Sequence, residues 1–332
     1  MAAFLHHNLQ DALPDDHRGA VIAIGNFDGV HLGHQRVLEK SKSVARQLGC
    51  PCYALSFEPH PRTLFRPNSP VFRLTDEAMK ARVLEALSIN GLLTLPFTKE
   101  LAATHAEDFV RTFLLDRAKA LHVISGFNFH FGKDRGGSPE YLKQAGEKLG
   151  FGVTIIDAYS ENNADTGDPV SSSRIRRLLG SGDVTAASTL LGYRWMVSGT
   201  VEKGAQLGRT LNYPTANLSV AENCHLAHGI YAVRLRRENG KLHNGVASFG
   251  RRPTFDNGKV LLETFVFDFS DDLYGENIEI SLFEFLRFEE KFDTVDDLVA
   301  QMDMDSQKAA DILDSATPLS ELDEKLTFDG LI

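Results

Sequence analysis

The chain has 332 residues, 42% hydrophobic and 24% charged, with a formal net charge of −10 at neutral pH. That length exceeds what one hydrophobic core usually organises, so about two domains are expected. The acidic balance disfavours sequence-independent binding to nucleic acid, and no apolar run approaches the ~18 residues that span a bilayer, so neither nucleic acid nor membrane is expected as a partner.

Residues 1–16 carry His, Asp and Pro where a secretory signal carries an apolar core, which places the protein in the cytoplasm. Three cysteines, Cys50, Cys52 and Cys224, lack metal or redox spacing and read as small buried hydrophobes. From Gly19 to about Gly180, apolar runs at 21–24, 53–57, 92–95, 123–125 and 153–156 alternate with amphipathic stretches. That alternation predicts an α/β domain with a parallel, doubly wound sheet.

The first strand ends in Gly25 and a helix begins near Leu32, so residues 25–34, Gly-Asn-Phe-Asp-Gly-Val-His-Leu-Gly-His, form a strand-to-helix turn. Ligands of open α/β sheets bind at this end of the strands, where free amides and the helix dipole favour anions. Gly25, Phe27, Asp28, Gly29 and Gly33 are therefore candidate ATP-phosphate contacts, with Gly29 and Gly33 letting backbone approach closely. His31 and His34, three apart, face one side and can donate hydrogen bonds to phosphate oxygens. The same spacing also suits a helix cap followed by a core histidine. The segment is neither a Walker loop nor the dinucleotide glycine fingerprint.

Phe57, Pro59, Pro61 and Phe65 follow the second strand and could stack a flat ring system or form a proline-stiffened loop. Thr104 and Glu107 have capping-box spacing, and Phe109, Val110, Phe113 and Leu114 form one apolar stripe that predicts core packing. Residues 126–132, Gly-Phe-Asn-Phe-His-Phe-Gly, follow the fourth strand, and Ser138-Pro139 is a helix start. Residues 157–168 are polar and turn-rich and read as a loop. Ser172 and Ser173 open a later helix and could receive phosphate with Arg176 as counter-charge, or be an ordinary cap with solvated arginines.

After about Gly192 the pattern becomes short strands at 195–201, 229–236, 244–249, 261–269 and 278–285, with Asn239-Gly240 as a hairpin turn. With no helix between them, they predict an antiparallel β-barrel. A final helix is expected over about 294–313, its many aspartates forming a solvated face. Residues 199–209 are glycine-punctuated, so Lys203, Gly204, Gly208 and Arg209 are suited to wrapping phosphates. In an extended segment Thr215 and Asn217 would aim at one magnesium ion, although Pro-Thr-Ala-Asn is also a turn sequence. Glu263 could act as base toward an alcohol, or simply face solvent on the polar side of its strand.

The motifs at 25–34, 57–61, 126–132, 171–176 and 214–217, with Gly-Arg-Arg-Pro-Thr-Phe at 250–255 and Asp-Leu-Tyr-Gly at 272–275, resemble the bacterial bifunctional riboflavin kinase/FAD synthetase family in order and separation. The resemblance covers nearly the whole chain. It implies an FMN adenylyltransferase domain over 1–187, of the nucleotidylyltransferase kind, and a riboflavin kinase barrel over 188–332. Riboflavin, FMN and ATP would be substrates, FAD, ADP and pyrophosphate products, and Mg2+ the cofactor; a homo-oligomer stays open. By position, His31, His34, Asn128 and Arg176 resemble the adenylyl-transfer residues, with Ser172 and Ser173 beside the triphosphate. Phe57, Pro59, Pro61, Phe65 and Phe131 resemble a flavin-side wall. Thr215 and Asn217 look like metal ligands and Glu263 like the base for the ribityl hydroxyl, with Arg287 near the flavin. The chain departs from the family at Asn212-Tyr213, where Gly-Phe is common, at Pro169, which replaces a basic residue of some members, and at Ser125, where an apolar residue is usual.

Overall fold

The computed structural model describes residues 3–159, 169–204, 207–251 and 260–329. Residues 160–168 of the polar loop, Arg252 to Phe255 of the 250–255 motif and the side chain of Arg209 lie outside the described part. Two compact units are present, Met1–Ser171 and Ser172–Ile332.

In the first unit, chain order runs β1 (Leu5–Asn8), β2 (Val21–Ile24), α1 (Leu32–Leu48), β3 (Cys52–Glu58), α2 (Pro61–Phe65), α3 (Glu77–Ala86), β4 (Gly91–Pro96), α4 (Lys99–Ala103), α5 (Ala106–Phe109), β5 (His122–Gly126), α6 (Pro139–Leu149) and β6 (Gly152–Ile156). The sheet is parallel throughout, in the order β1-β4-β3-β2-β5-β6. From β2 the chain steps outward through β3 and β4, then returns to lay β5 on the other side of β2. That reversal makes the C-terminal ends of β2 and β5 the switch point. The five expected strands are all present. β1 is an addition: four residues with alternating burial along the β4 edge.

The Phe109 stripe packs into the core as expected, with Phe109, Val110 and Leu114 buried and Phe113 against them. Ser138 caps α6, its Oγ accepting from the Tyr141 amide at 3.1 Å, with Pro139 in the first turn. The capping box at Thr104 does not form. Thr104 ends α4, where its hydroxyl donates to the Glu100 carbonyl at 3.0 Å, and Glu107 bonds Arg111 one turn along. A threonine at a helix end satisfies a free carbonyl as readily as a free amide.

The second unit begins with α7 (Ser172–Gly180) and α8 (Val184–Leu191), followed by β7 (Met196–Thr200), α9 (Leu207–Thr210), β8 (Thr215–Ser219), β9 (Gly229–Arg236), β10 (Leu242–Arg251), β11 (Val260–Val266), β12 (Asn277–Arg287) and α10 (Val295–Ser315). Its antiparallel sheet runs β7-β12-β9-β10-β11-β8. A bridge between Glu202 and Asn217 joins the two ends and closes the barrel. β8, which the sequence offered only as a short extended segment, is a full strand, and the one-turn α9 interrupts the strand series. Gly240, at φ +82°, makes the β9–β10 hairpin. Thr294 caps α10 with its Oγ1 accepting from the Asp297 amide at 3.1 Å. A further helical stretch follows, anchored where Asp323, fully buried, pairs with Arg194.

Not all the α10 aspartates are solvated. Asp305 is buried and takes both Arg287 nitrogens, Nε and Nη2, at 3.0 and 2.7 Å, and Asp303 accepts the Tyr213 hydroxyl. Charged side chains on a helix lying against a barrel turn inward when cationic and hydroxyl partners wait there.

Candidate active sites

The turn after β2 is built from unusual backbone: Phe27, Val30 and Gly29 sit at φ +48°, +37° and +81°. Only outside contacts hold non-glycine residues in that region. Asp28, buried, accepts the Leu74 and Thr75 amides at 2.9 and 3.3 Å, and the Gly29 amide donates to Thr75 Oγ1 at 3.0 Å. The Asp28 carboxylate thus pins the turn to residues 74–75.

His31 is the N-cap of α1, its Nδ1 accepting from the His34 amide at 3.4 Å. A neutral imidazole that accepts at Nδ1 carries its proton on Nε2, so the cap leaves His31 a donor at Nε2. The two imidazoles stack with centroids 3.7 Å apart and 18° between planes. His34 Nδ1 is buried with no partner among the described residues, and Phe27 meets the ring edge-on at 5.3 Å. Burial first, then His31 and Lys80, hold the His34 pKa well below the ordinary histidine value. Capping and partial burial both apply to this pair, and the stack leaves the two rings on one side.

A side chain at Gly33 would stand 3.2 Å from the His31 ring, and one at Gly25 would stand 3.3 Å from the Phe27 ring. Both glycines therefore make room for rings of the turn itself.

Because Ile24 pairs with Ser125, Gly25 and Gly126 end neighbouring strands. Asn128, exposed, comes two residues after Gly126, at the end of the strand that neighbours β2. Ser125 is fully buried, its hydroxyl without a partner among the described residues. Phe57, within β3, and Phe131, after β5, lie in the core, where both pack on Phe109 and Phe129. Pro59 is exposed, Pro61 opens α2 beneath a His60 cap, and Phe65 is 67% exposed. Ser172 and Ser173 are the first two residues of α7 and Arg176 lies in its second turn, within the second unit.

In the barrel, β8 and β11 pair with Asn217 opposite Glu263 and Thr215 opposite Phe265. Cross-strand partners share a face, and residues two apart on a strand do too, so Thr215, Asn217 and Glu263 converge. Leu218 and Leu262, fully buried, fill the other face. Asn217 is buried; its Nδ2 donates to the Thr215 carbonyl at 3.3 Å and its backbone carbonyl accepts from the Glu202 amide at 2.9 Å. The Oδ1 is left buried without a partner among the described residues. An orphaned amide oxygen beside a threonine and a half-buried glutamate fits a hard cation.

Lys203 stands with Nζ 5.7 Å from the Tyr274 ring centroid, and a Cβ at Gly204 would come 2.6 Å from Asn217 Nδ2. At Gly208 a Cβ would stand 2.1 Å from the Tyr213 carbonyl oxygen, which only glycine admits. Asn212, at φ +62°, adopts the left-handed conformation that glycine takes most readily, asparagine being the next most tolerant residue. The Tyr213 ring packs on Phe265 at 4.6 Å. Arg287 is committed to Asp305.

Sequence reasoning did not find the partly buried cluster of Ser56, Glu58, Arg73 and Lys80 under the histidine turn. A signal was present: Met79, Lys80, Val83 and Leu84 have core-helix spacing, and all four are buried.

Two families match the chain: FAD synthetase over residues 13–174 and riboflavin kinase over residues 191–313. A bifunctional riboflavin kinase/FMN adenylyltransferase of Listeria monocytogenes is 36% identical, over 92% of this chain and 95% of that protein. One of Buchnera aphidicola is 33% identical, over 90% and 94%. Among solved structures, a protein of Streptococcus pneumoniae described as a macrolide-efflux protein superposes with a TM-score of 0.80 and 28% identity, covering 95% of this chain and 100% of the other. Among the described residues no helix is long and apolar enough to cross a membrane.

Proposed function

Since the chain belongs to the bifunctional riboflavin kinase/FMN adenylyltransferase family, we propose that the histidine turn of the first unit serves adenylyl transfer and the β8–β11 face of the barrel serves phosphoryl transfer. The protein phosphorylates riboflavin with ATP, giving FMN and ADP, and adenylylates FMN with a second ATP, giving FAD and pyrophosphate. The FAD synthetase match comes first in the chain, so the units stand in the reverse order of the steps. We assign residues 1–187 to the adenylyltransferase domain and 188–332 to the kinase domain.

The observation that carries the kinase reading is the orphaned Asn217 oxygen facing Glu263. Thr215 and Asn217 hold the divalent cation, which we assign as magnesium. When bound, it supplies charge neutralisation and alignment of the ATP phosphates. Glu263 accepts the proton of the ribityl hydroxyl, because an alcohol is a poor nucleophile at neutral pH. Lys203, Gly204, Gly208 and Arg209 wrap the phosphates, and Arg287, fixed by Asp305, borders the flavin.

Adenylyl transfer needs no such base. The attacking FMN phosphate is already ionised, so the requirements are position and charge stabilisation. His31 donates from Nε2 to a phosphate oxygen, His34 stands stacked behind it, and Asn128 contacts the nucleotide from the end of β5. Gly25, Phe27, Asp28, Gly29 and Gly33 shape the turn. Ser172, Ser173 and Arg176 are phosphate ligands on the strength of their motif. Pro59, Pro61 and Phe65 offer the flavin face, with Phe57 and Phe131 packed as its support. Consumption of ATP in both steps supports a cytoplasmic location.

The test is to resolve FMN and FAD over time from riboflavin, ATP and magnesium, and FAD from FMN separately. Glu263→Gln and Asn217→Ala should each lower FMN formation about 100-fold or more and leave FMN-to-FAD conversion intact. His31→Ala should do the reverse. One substitution abolishing both activities in a folded protein would defeat the two-site reading.

A further inference from the structure

Under the histidine turn lies a charged cluster with no part in the roles assigned above. Lys80, on α3, is 1% exposed, a place an ammonium occupies only when it is paired and hydrogen bonded. Its Nζ donates to Ser56 Oγ and to Glu58 Oε1, each at 2.9 Å. The Ser56 hydroxyl in turn donates to the Asn26 carbonyl at 3.0 Å. The direction of this relay is fixed, since an ammonium only donates and a carbonyl only accepts. Each bond in such a chain polarises the next. Glu58 is held by Arg73 through both oxygens. Burial pushes the Glu58 carboxyl up, but Arg73 and Lys80 outweigh it and leave the pKa below its ordinary value.

We propose that Lys80 is a positioning residue for adenylyl transfer: through Ser56 it holds the Asn26 carbonyl and so fixes the turn that carries His31 and His34. This rests on the reading of that turn as the ATP site. Asn26 immediately precedes the strained Phe27, at φ +48°, and the other end of the strained stretch is held separately by Asp28 and Thr75. At the Asn26 end the Gly25 amide donates to the Leu55 carbonyl at 3.1 Å, and the relay adds the hold on the Asn26 carbonyl itself.

Lys80 also acts through space. The charged and titratable groups facing His34 are His31, on the same helix, and Lys80 from α3; Glu58, Arg73 and Asp28 face Lys80. Removing the ammonium leaves His34 easier to protonate.

The test uses the full chain with Ser56→Ala, Lys80→Met, Lys80→Arg and His34→Ala. FMN-to-FAD conversion is measured beside riboflavin-to-FMN conversion in the same preparation, and the imidazoles of 15N-histidine-labelled protein are titrated by NMR. Ser56→Ala, which keeps the charge, should lower kcat for FAD formation about tenfold, roughly the loss of one hydrogen bond, with FMN formation unchanged. Lys80→Met should lower it at least as far and move the His34 titration to higher pH, and Lys80→Arg should restore part of both. If Lys80→Met fails to fold, Ser56→Ala decides. The proposal is overturned if Ser56→Ala leaves kcat within about twofold of the parent, or if Lys80→Met folds and leaves both kcat and the His34 titration unmoved. His34→Ala separates the two ideas: if it leaves FAD formation intact, the ATP-site reading fails, whereas if it stops FAD formation while Ser56→Ala is silent, only the role of Lys80 fails.

Discussion

Asn217 and Gly204 form a pair whose meaning lies in a single missing atom. Only a hydrogen at Gly204 lets the Asn217 amide sit as it does, since a Cβ would come 2.6 Å from Nδ2. Asn217 is buried, so it has little room to yield. Gly204→Ala should therefore push the amide away from Thr215 and lower FMN formation about 100-fold, the scale of a 1 Å misplacement, while FMN-to-FAD conversion stays at the parent rate. Steady-state rates for the two half-reactions check this. The three cysteines carry no such role. Burial raises the thiol pKa at each, at Cys52 to about 12; of the three only Cys52 is the buried small hydrophobe the sequence suggested, Cys50 and Cys224 being half-buried.

At the scale of elements, β1 shows how a short edge strand escapes a sequence reading. Its four residues, Leu-His-His-Asn, contain one apolar side chain, and alternation over so short a run is indistinguishable from a loop. The register is set by its partner, because Leu5 lies opposite Gly91 and a Cβ there would stand 2.2 Å from the Leu5 carbonyl oxygen. Gly91→Ala should detach β1 from β4 and destabilise the first unit by about 1–3 kcal/mol. Amide hydrogen exchange should then quicken at Leu5 and Leu9, whose N–H groups donate to Asn90 and Thr94 at 2.9 Å. Protection equal to the parent would refute it. The α10 aspartates teach a related lesson: acidic run and helical period were legible, but Asp303 and Asp305 turn inward because Tyr213 and Arg287 meet them.

For the whole molecule, three histidines give stability a pH dependence of known sign. His34 and His122 in the first unit and His243 in the second all have lowered pKa values, with burial the leading cause in each. The unfolded chain titrates these groups near about 6.5. As pH falls through that value the unfolded state takes up protons that the folded state refuses, so stability is complete above it and declines toward the depressed folded values. Glu58, held below its ordinary value, adds its own loss at still lower pH. The urea midpoint should therefore fall between pH 7.5 and pH 5.5. Equal midpoints would show that these imidazoles titrate normally in the fold.

Strand alternation, the helix after Gly25, the Phe109 stripe, the Ser138 cap and the Asn239-Gly240 hairpin were determined by the sequence, since each depends on residues within a few positions of one another. The motifs likewise sufficed to mark the family. Tertiary structure alone decided that Asn217 faces Glu263, that Thr104 ends one helix instead of starting the next, and that Lys80 reaches Asn26 through Ser56. Each of those outcomes is a choice among partners that a side chain accepts equally well in isolation. The folded chain makes the choice by what it brings within about 3 Å, the reach of a hydrogen bond.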